Sequence, residues 1–150
     1  MATRPVEQPM LSTRLIAQWE QISEKLLALA EEIPASKFDF TPASDLRTIA
    51  GVLRHVAFWN HYVADSARGK NPDGAANELP EKKFSTKAQV IDALKCSAAD
   101  AAAAFREHES GITPELAETL VTFIEHNCEH YGQLVVYARL NGIVPPASRG

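Results

Sequence analysis

Residues 125–134 read Glu125-His126-Asn127-Cys128-Glu129-His130-Tyr131-Gly132-Gln133-Leu134, which sets two histidines four residues apart. On an α-helix that spacing puts both imidazoles on one face, a turn apart, where they can reach a single point. Outward from the pair, Leu116, Leu120, Phe123, His130, Leu134 and Tyr137 form a helical apolar stripe, with His126 at the step between Phe123 and His130. The two histidines therefore stand where a core-facing helix ordinarily carries aliphatic residues. Thr113 can cap this helix and Pro114 suits its first turn; Gly142 and Pro145-Pro146 end it, so it is expected from Pro114 to Asn141.

Three further helices precede it. Leu11, Leu15, Trp19, Ile22, Leu26, Leu29 and Ile33 recur at spacings of three and four, from a possible first-turn Pro9 to the stop at Pro34. Ile49, Val52, Val56, Trp59 and Val63 mark a second helix, which a cap among Ser44, Asp45 and Thr48 would open and which would run to Arg68 before Gly69. Thr86-Lys87-Ala88-Gln89 reads as a capping box ahead of Val90, Leu94, Ala98, Ala101 and Phe105. Residues 35–44 lack periodicity, and their Phe38 and Phe40 are expected to cover one end of a core. The stretch from Lys70 to Phe84, rich in Asn, Pro, Gly and charge, is a loop long enough to cross over the bundle. The expectation is all-α: a four-helix bundle with a long crossover loop, one domain over 1–150, with 1–8 and 146–150 as flexible ends.

Composition narrows the function. A chain of 150 residues that is 45% hydrophobic and 23% charged can build one sizeable core. Fifteen basic against nineteen acidic residues, with no dense Lys/Arg cluster, argues against a nucleic-acid partner. The opening residues lack a signal-peptide core and no apolar run nears the roughly 20 residues a membrane span needs, so no membrane partner and a cytoplasmic location are expected. Cys96 and Cys128 are too few for a disulfide scaffold.

His55, in Leu53-Arg54-His55-Val56, lies beside the second helix's stripe and can face inward. An i, i+4 histidine pair alone is read equally well as a metal site or as two hydrogen-bonded core residues. A third inward imidazole favours metal, because three converging rings satisfy one another poorly unless a cation accepts their lone pairs. His55, His126 and His130 are thus the candidate ligands of an open Zn or Ni site, with Fe or Mn as alternatives. Cys128 projects from the far side of the helix and is set aside. Glu125 reads as exposed charge. Glu129 could orient a ring from behind, and Gln133 could hydrogen-bond a bound water or substrate. His61 reads as facing solvent or a subunit contact and His108 as a helix-end cation.

Phe38-Asp39-Phe40-Thr41-Pro42, Arg47-Thr48-Ile49, Leu53-Arg54-His55-Val56-Ala57 and the run from His126 to Leu134, continued through Tyr137 to Pro146, resemble the DinB-like superfamily, in the group with YfiT-like and thiol-dependent transferase members. The resemblance covers about 33–68 and 124–146. It implies a four-helix bundle, a divalent metal held by His55, His126 and His130, often zinc or nickel, and frequently a homodimer. It fixes no reaction. Three readings follow: a metal-dependent S-transferase that presents a low-molecular-weight thiol to a small electrophilic substrate; a metal-dependent amide or ester hydrolase with Glu129 or Gln133 positioning water; and a non-catalytic, stress-associated metal-binding dimer.

Overall fold

The computed structural model describes residues 9–150, so the end expected to be flexible at 1–8 lies outside the described residues. Four helices carry the fold: α1 (Pro9–Glu32), α2 (Ile49–Ala67), α3 (Lys87–Arg106) and α4 (Pro114–Leu140), with no strand among the described residues. Thr48, Thr86 and Thr113 cap α2, α3 and α4 through their hydroxyls, and Thr86 with Gln89 completes the capping box. α2 and α4 end in the same way. Gly69 and Gly142 take φ of +77° and +75°, which lets Lys70 N–H reach Asp65 O and Ile143 N–H reach Ala138 O. Such left-handed caps satisfy carbonyls that the last helical turn leaves unpaired. No helix among the described residues is long and apolar enough to cross a membrane.

α1 packs against α3 and α4, and α2 packs against the same two. Long-range bonds set the directions. Ser12 near the start of α1 donates to Glu109 O after α3, while Lys87 at the start of α3 reaches Glu31 O at the end of α1, so these helices are antiparallel. Tyr137 late in α4 bonds Arg47 O just before α2, which makes α2 and α4 antiparallel. Arg54 and Asn60 of α2 and Arg68 at its C-terminal cap meet Phe84, Ser97 and Asp100 in that order, so α2 and α3 run parallel. Parallel neighbours need a connection that returns the length of a helix. Residues 68–86 supply it.

Two apolar clusters fill the bundle. One gathers Leu26, Leu29, Ile33, Phe38, Ile49, Val52, Leu53, Val56, Leu94, Leu134 and Tyr137, with Phe40 packed on it as the loop reading anticipated. The other gathers Ile16, Trp19, Val63, Ala101, Phe105 and Leu120. The α1 stripe departs from expectation at its start: Ser12 and Ile16 are buried, Leu15 is half-buried and Leu11 is 62% exposed. Ser12 is accommodated in the interior because its hydroxyl donates to Glu109 O at 2.6 Å. Between the clusters lies a polar layer of Asn60, Ser97 and Asn127, one residue from each of α2, α3 and α4 and all buried. At the C-terminus residues Pro146–Ser148 form a 3-10 turn, and Arg149 bonds Glu32 of α1.

Candidate metal centre

His55 on α2 and His126 and His130 on α4 meet beside the polar layer, with one nitrogen from each within 4.8 Å of the others. His55 is buried, and His126 and His130 are half-buried. The ring centroids lie 5.0, 4.7 and 4.5 Å apart for the pairs 55/126, 55/130 and 126/130.

What distinguishes this cluster from three packed histidines is the environment of the other nitrogen on each ring. His55 Nδ1 lies 2.6 Å from Asn77 O, a backbone carbonyl that can only accept. His130 Nδ1 lies 2.9 Å from Gln133 Oε1; Gln133 Nε2 donates to Tyr137 OH at 3.0 Å, and that hydroxyl donates to Arg47 O. His126 Nδ1 faces Asn127 Oδ1 at 3.3 Å; Asn127 donates to Asn60, Asn60 to Ser97 and Ser97 to Leu94 O. Each line therefore terminates on a main-chain carbonyl, and that end sets the direction of every bond before it. All three rings are assigned the Nδ1–H tautomer, with an unprotonated Nε2 facing the other two.

That arrangement asks for a cation. His126 Nε2 and His55 Nε2 stand 3.0 Å apart, lone pair against lone pair. Two ligands at about 2.05 Å on a tetrahedral zinc would lie about 3.3 Å apart, so a small adjustment seats an ion. His55 and His126 are also in the right charge state. Burial, chiefly, pulls His55 down to about 4, and the Arg47 and His130 charges act the same way. Burial likewise takes His126 down to about 4, aided by His130 and opposed by Asn127 and Glu129. The residues present fit a divalent metal with a three-nitrogen ligand set.

One flank of the cluster is aromatic. Trp59, Tyr62 and Phe123 form a half-exposed cluster with ring centroids 4.7 to 6.3 Å apart, and both Trp59 and Phe123 adjoin His126. The crossover loop holds this wall from the other side. Trp59 Nε1 donates to Asn77 Oδ1 at 2.8 Å, and a Cβ on Gly74 would come within 2.9 Å of the Trp59 ring, so only glycine fits that approach. Glu78 anchors the same loop to the buried Arg54 at 2.9 Å and to Arg47 at 3.4 Å.

The other sequence-singled residues fall elsewhere. Glu125, Glu129 and Cys128 are exposed, and Glu129 makes no hydrogen bond to the three rings. Gln133 sits at the centre, with its amide committed to His130 and Tyr137 rather than offered to a water or substrate. His61 pairs with Asp100 at 3.5 Å, and His108 bonds the Ala67 carbonyl at the end of α2. Sequence reasoning missed Asn77, Asn127, Asn60, Ser97 and Tyr137. For the two asparagines of the layer and Ser97 a signal existed: a polar residue in register with apolar stripe positions, as Asn60 is between Val56 and Val63. Asn77 had none, since its role depends on a loop backbone with φ of 57°.

A family profile described as the DinB superfamily matches residues 18–134, more than three quarters of the chain. No curated protein matches it.

Proposed function

We propose that this chain, which belongs to the DinB superfamily, holds a divalent metal ion through Nε2 of His55, His126 and His130 and joins a low-molecular-weight thiol, through its sulfur and with loss of the thiol proton, to a small electrophile. The observation that carries the metal reading is the convergence of three unprotonated nitrogens whose opposite sides are each committed to a line ending on a carbonyl. When bound, a divalent cation supplies Lewis acidity, which lowers the pKa of a thiol or water entering as a fourth ligand. The protein's own part is to hold His55 and His126 neutral, to orient all three rings and to offer Trp59, Tyr62 and Phe123 as an apolar surface for the electrophile.

Thiol transfer is favoured over hydrolysis because the described residues offer no general base at the three nitrogens. Glu129 is exposed and bonds none of the rings, and Gln133 is already engaged. A hydrolase needs such a group to deprotonate or position water, whereas a thiol, closer to ionisation at neutral pH, does not. The exposed free thiols of Cys96 and Cys128 suit a reducing, cytoplasmic setting in which a small thiol is at hand. Zinc or nickel is the proposed ion, given an all-nitrogen ligand set.

Metal analysis of untagged protein by plasma mass spectrometry tests the site. Near one equivalent in the wild type and loss in both His126→Ala and His130→Ala is the expected result; a wild type that takes up none of Zn2+, Ni2+, Mn2+ or Fe2+ would sink the reading. For the reaction, a Co2+-loaded sample should change its visible spectrum on addition of a low-molecular-weight thiol and conjugate that thiol to a model electrophile. Bound metal with neither response would return the chain to a non-catalytic bundle.

A further inference from the structure

Two adjoining cavities lie where the crossover loop meets α2 and α3, and none of the three histidines of the metal centre lines either of them. One, of about 240 Å³, has Phe58, Tyr62, Asp65 and Asp73 in its lining. The other, of about 350 Å³, has Phe84, Asp92, Ala93 and Cys96. His61 and Leu79 line both, so the two form one groove with a waist. Clefts of this size suit a small molecule rather than a protein surface.

The charge along the groove has one sign. Carboxylates stand in both cavities, and among the described residues no lysine or arginine lines either. Asp73 accepts from Ala75 N–H at 2.9 Å, but neither Asp73 nor Asp92 has an ion-pair partner among the described residues. Asp65 pairs at 2.8 Å with Lys70, which is exposed and stands outside the lining. His61 is held by Asp100 at 3.5 Å. Between the carboxylates the groove is apolar, with Leu79 and Phe84 half-buried and Ala93 buried. At the smaller end the half-buried rings of Phe58 and Tyr62, one helical turn apart on α2, stand beside Asp65 and Asp73. Aromatic faces and carboxylates attract the same group, an ammonium, and repel the same group, an anion.

We propose that this groove binds a free aliphatic amine, with its ammonium head among Phe58, Tyr62, Asp65 and Asp73 and its methylene chain along Leu79, Phe84 and Ala93. The carboxylates and rings choose the sign of the head, and the apolar waist and far cavity choose the tail. An alkyl carboxylate would bring like charges together, and a cation without a chain would leave Leu79 and Phe84 uncovered. The two free cysteines provide an internal comparison: both are exposed, but Cys96 lines the far cavity and Cys128 lies on α4 away from it. A tail in the groove covers the first thiol and leaves the second open. The inference goes beyond the metal reading and does not depend on it, because the groove shares no residue with the ligand set.

Titration calorimetry of the untagged chain with butyl-, hexyl- and octylammonium chloride tests it. Each buried methylene is worth about fourfold in affinity, so octylammonium should bind roughly tenfold tighter than hexylammonium. Octanoate, which carries a similar tail on the opposite charge, should bind about tenfold more weakly than octylammonium or not at all. Replacing both carboxylates, Asp65→Asn with Asp73→Asn, should weaken octylammonium roughly tenfold and leave octanoate no weaker. Helical circular dichroism identifies any variant that has simply unfolded. Independently, octylammonium should slow alkylation of Cys96 by iodoacetamide several-fold, read by peptide mass spectrometry, while Cys128 reacts at its usual rate. Absence of ammonium binding overturns the proposal, as does octanoate binding as tightly as octylammonium. An ammonium affinity indifferent to the double substitution, or a ligand that protects neither cysteine or both alike, overturns it too, since the amine must then sit elsewhere.

Discussion

The Trp19–Phe105 end of the bundle and the polar layer at its middle are both closed to solvent, but different physics closes them. At the end, Trp19 and Phe105 meet edge to face at 5.3 Å, with Ile16, Val63 and Leu120 around them, and the order is that of non-directional packing. In the layer, Asn60, Ser97 and Asn127 each need a partner of defined direction, and each receives one. The contrast includes an inversion. Two buried polar atoms without a partner, Trp19 Nε1 and Ser23 Oγ, lie on α1, whose residues take no part in the lines behind the histidines. Packing tolerates an orphaned donor at a cost in stability, whereas an orphan in the layer would release the tautomer of a ring at the site. The end is therefore expected to govern stability, and the layer and its companion lines to govern the nitrogens.

The largest effect that could break this division is Phe105→Ala. Removing a fully buried ring at the packed end should cost roughly 3 to 5 kcal/mol in urea unfolding, while the folded fraction binds metal with unchanged affinity. A large loss of metal affinity in the folded protein would mean the two regions are mechanically coupled.

Much of this was legible in advance, and the reason is periodicity. The four helices, the Thr86 capping box and the inward set of His55, His126 and His130 all follow from which residues recur at three and four. Where the rule failed, a local exception outweighed it. Leu11 fits the stripe but lies exposed, because Ser12 has found a carbonyl across the bundle and can be buried in its place. Direction of hydrogen bonding was not legible. Nothing in the spacing of Gln133 says whether its amide faces a substrate or His130; that depends on Tyr137 and Arg47, the latter on a segment that only the tertiary fold brings alongside. Asn77 is further out of reach, since its carbonyl meets His55 only because parallel α2 and α3 force the connection to travel back along α2.

A smaller effect sharpens the comparison through pH. In metal-free protein His55 and His126 are held at about 4, below the 6.5 of an exposed imidazole, so between these values the unfolded chain binds protons that the folded chain does not. Stability should therefore fall as pH drops from 6.5 towards 4 and level off below that. With His126 part-exposed and the facing rings able to share a proton, the loss between pH 6.5 and 5 is on the order of 2 kcal/mol. Urea unfolding of chelator-treated wild type and His126→Gln checks this: the variant should show the shallower slope. Equal slopes would remove the layer's neighbour as the source of the pH dependence.

The smallest change tests the division atom by atom. Tyr137→Phe keeps the buried ring in its apolar cluster and deletes only the hydroxyl that joins Gln133 to Arg47 O. By packing alone the substitution is nearly silent, with a cost of about 1 kcal/mol for the partners left unmatched. By direction it is not silent, because the Gln133 amide loses the donor-acceptor pair that distinguishes its two ends. It can then turn its NH2 towards His130 Nδ1, and a ring so approached moves its proton to Nε2, the nitrogen aimed at the ion. Metal affinity should fall by about tenfold, the range seen when a group behind a ligand is lost. Competition against a chromogenic chelator measures this in the same sample whose unfolding is followed. Unchanged affinity would show that the hydroxyl serves the core alone and that the line ending on Arg47 does not set the ring. A tenfold loss with the fold intact would separate the two regions by function as cleanly as Phe105→Ala separates them by stability.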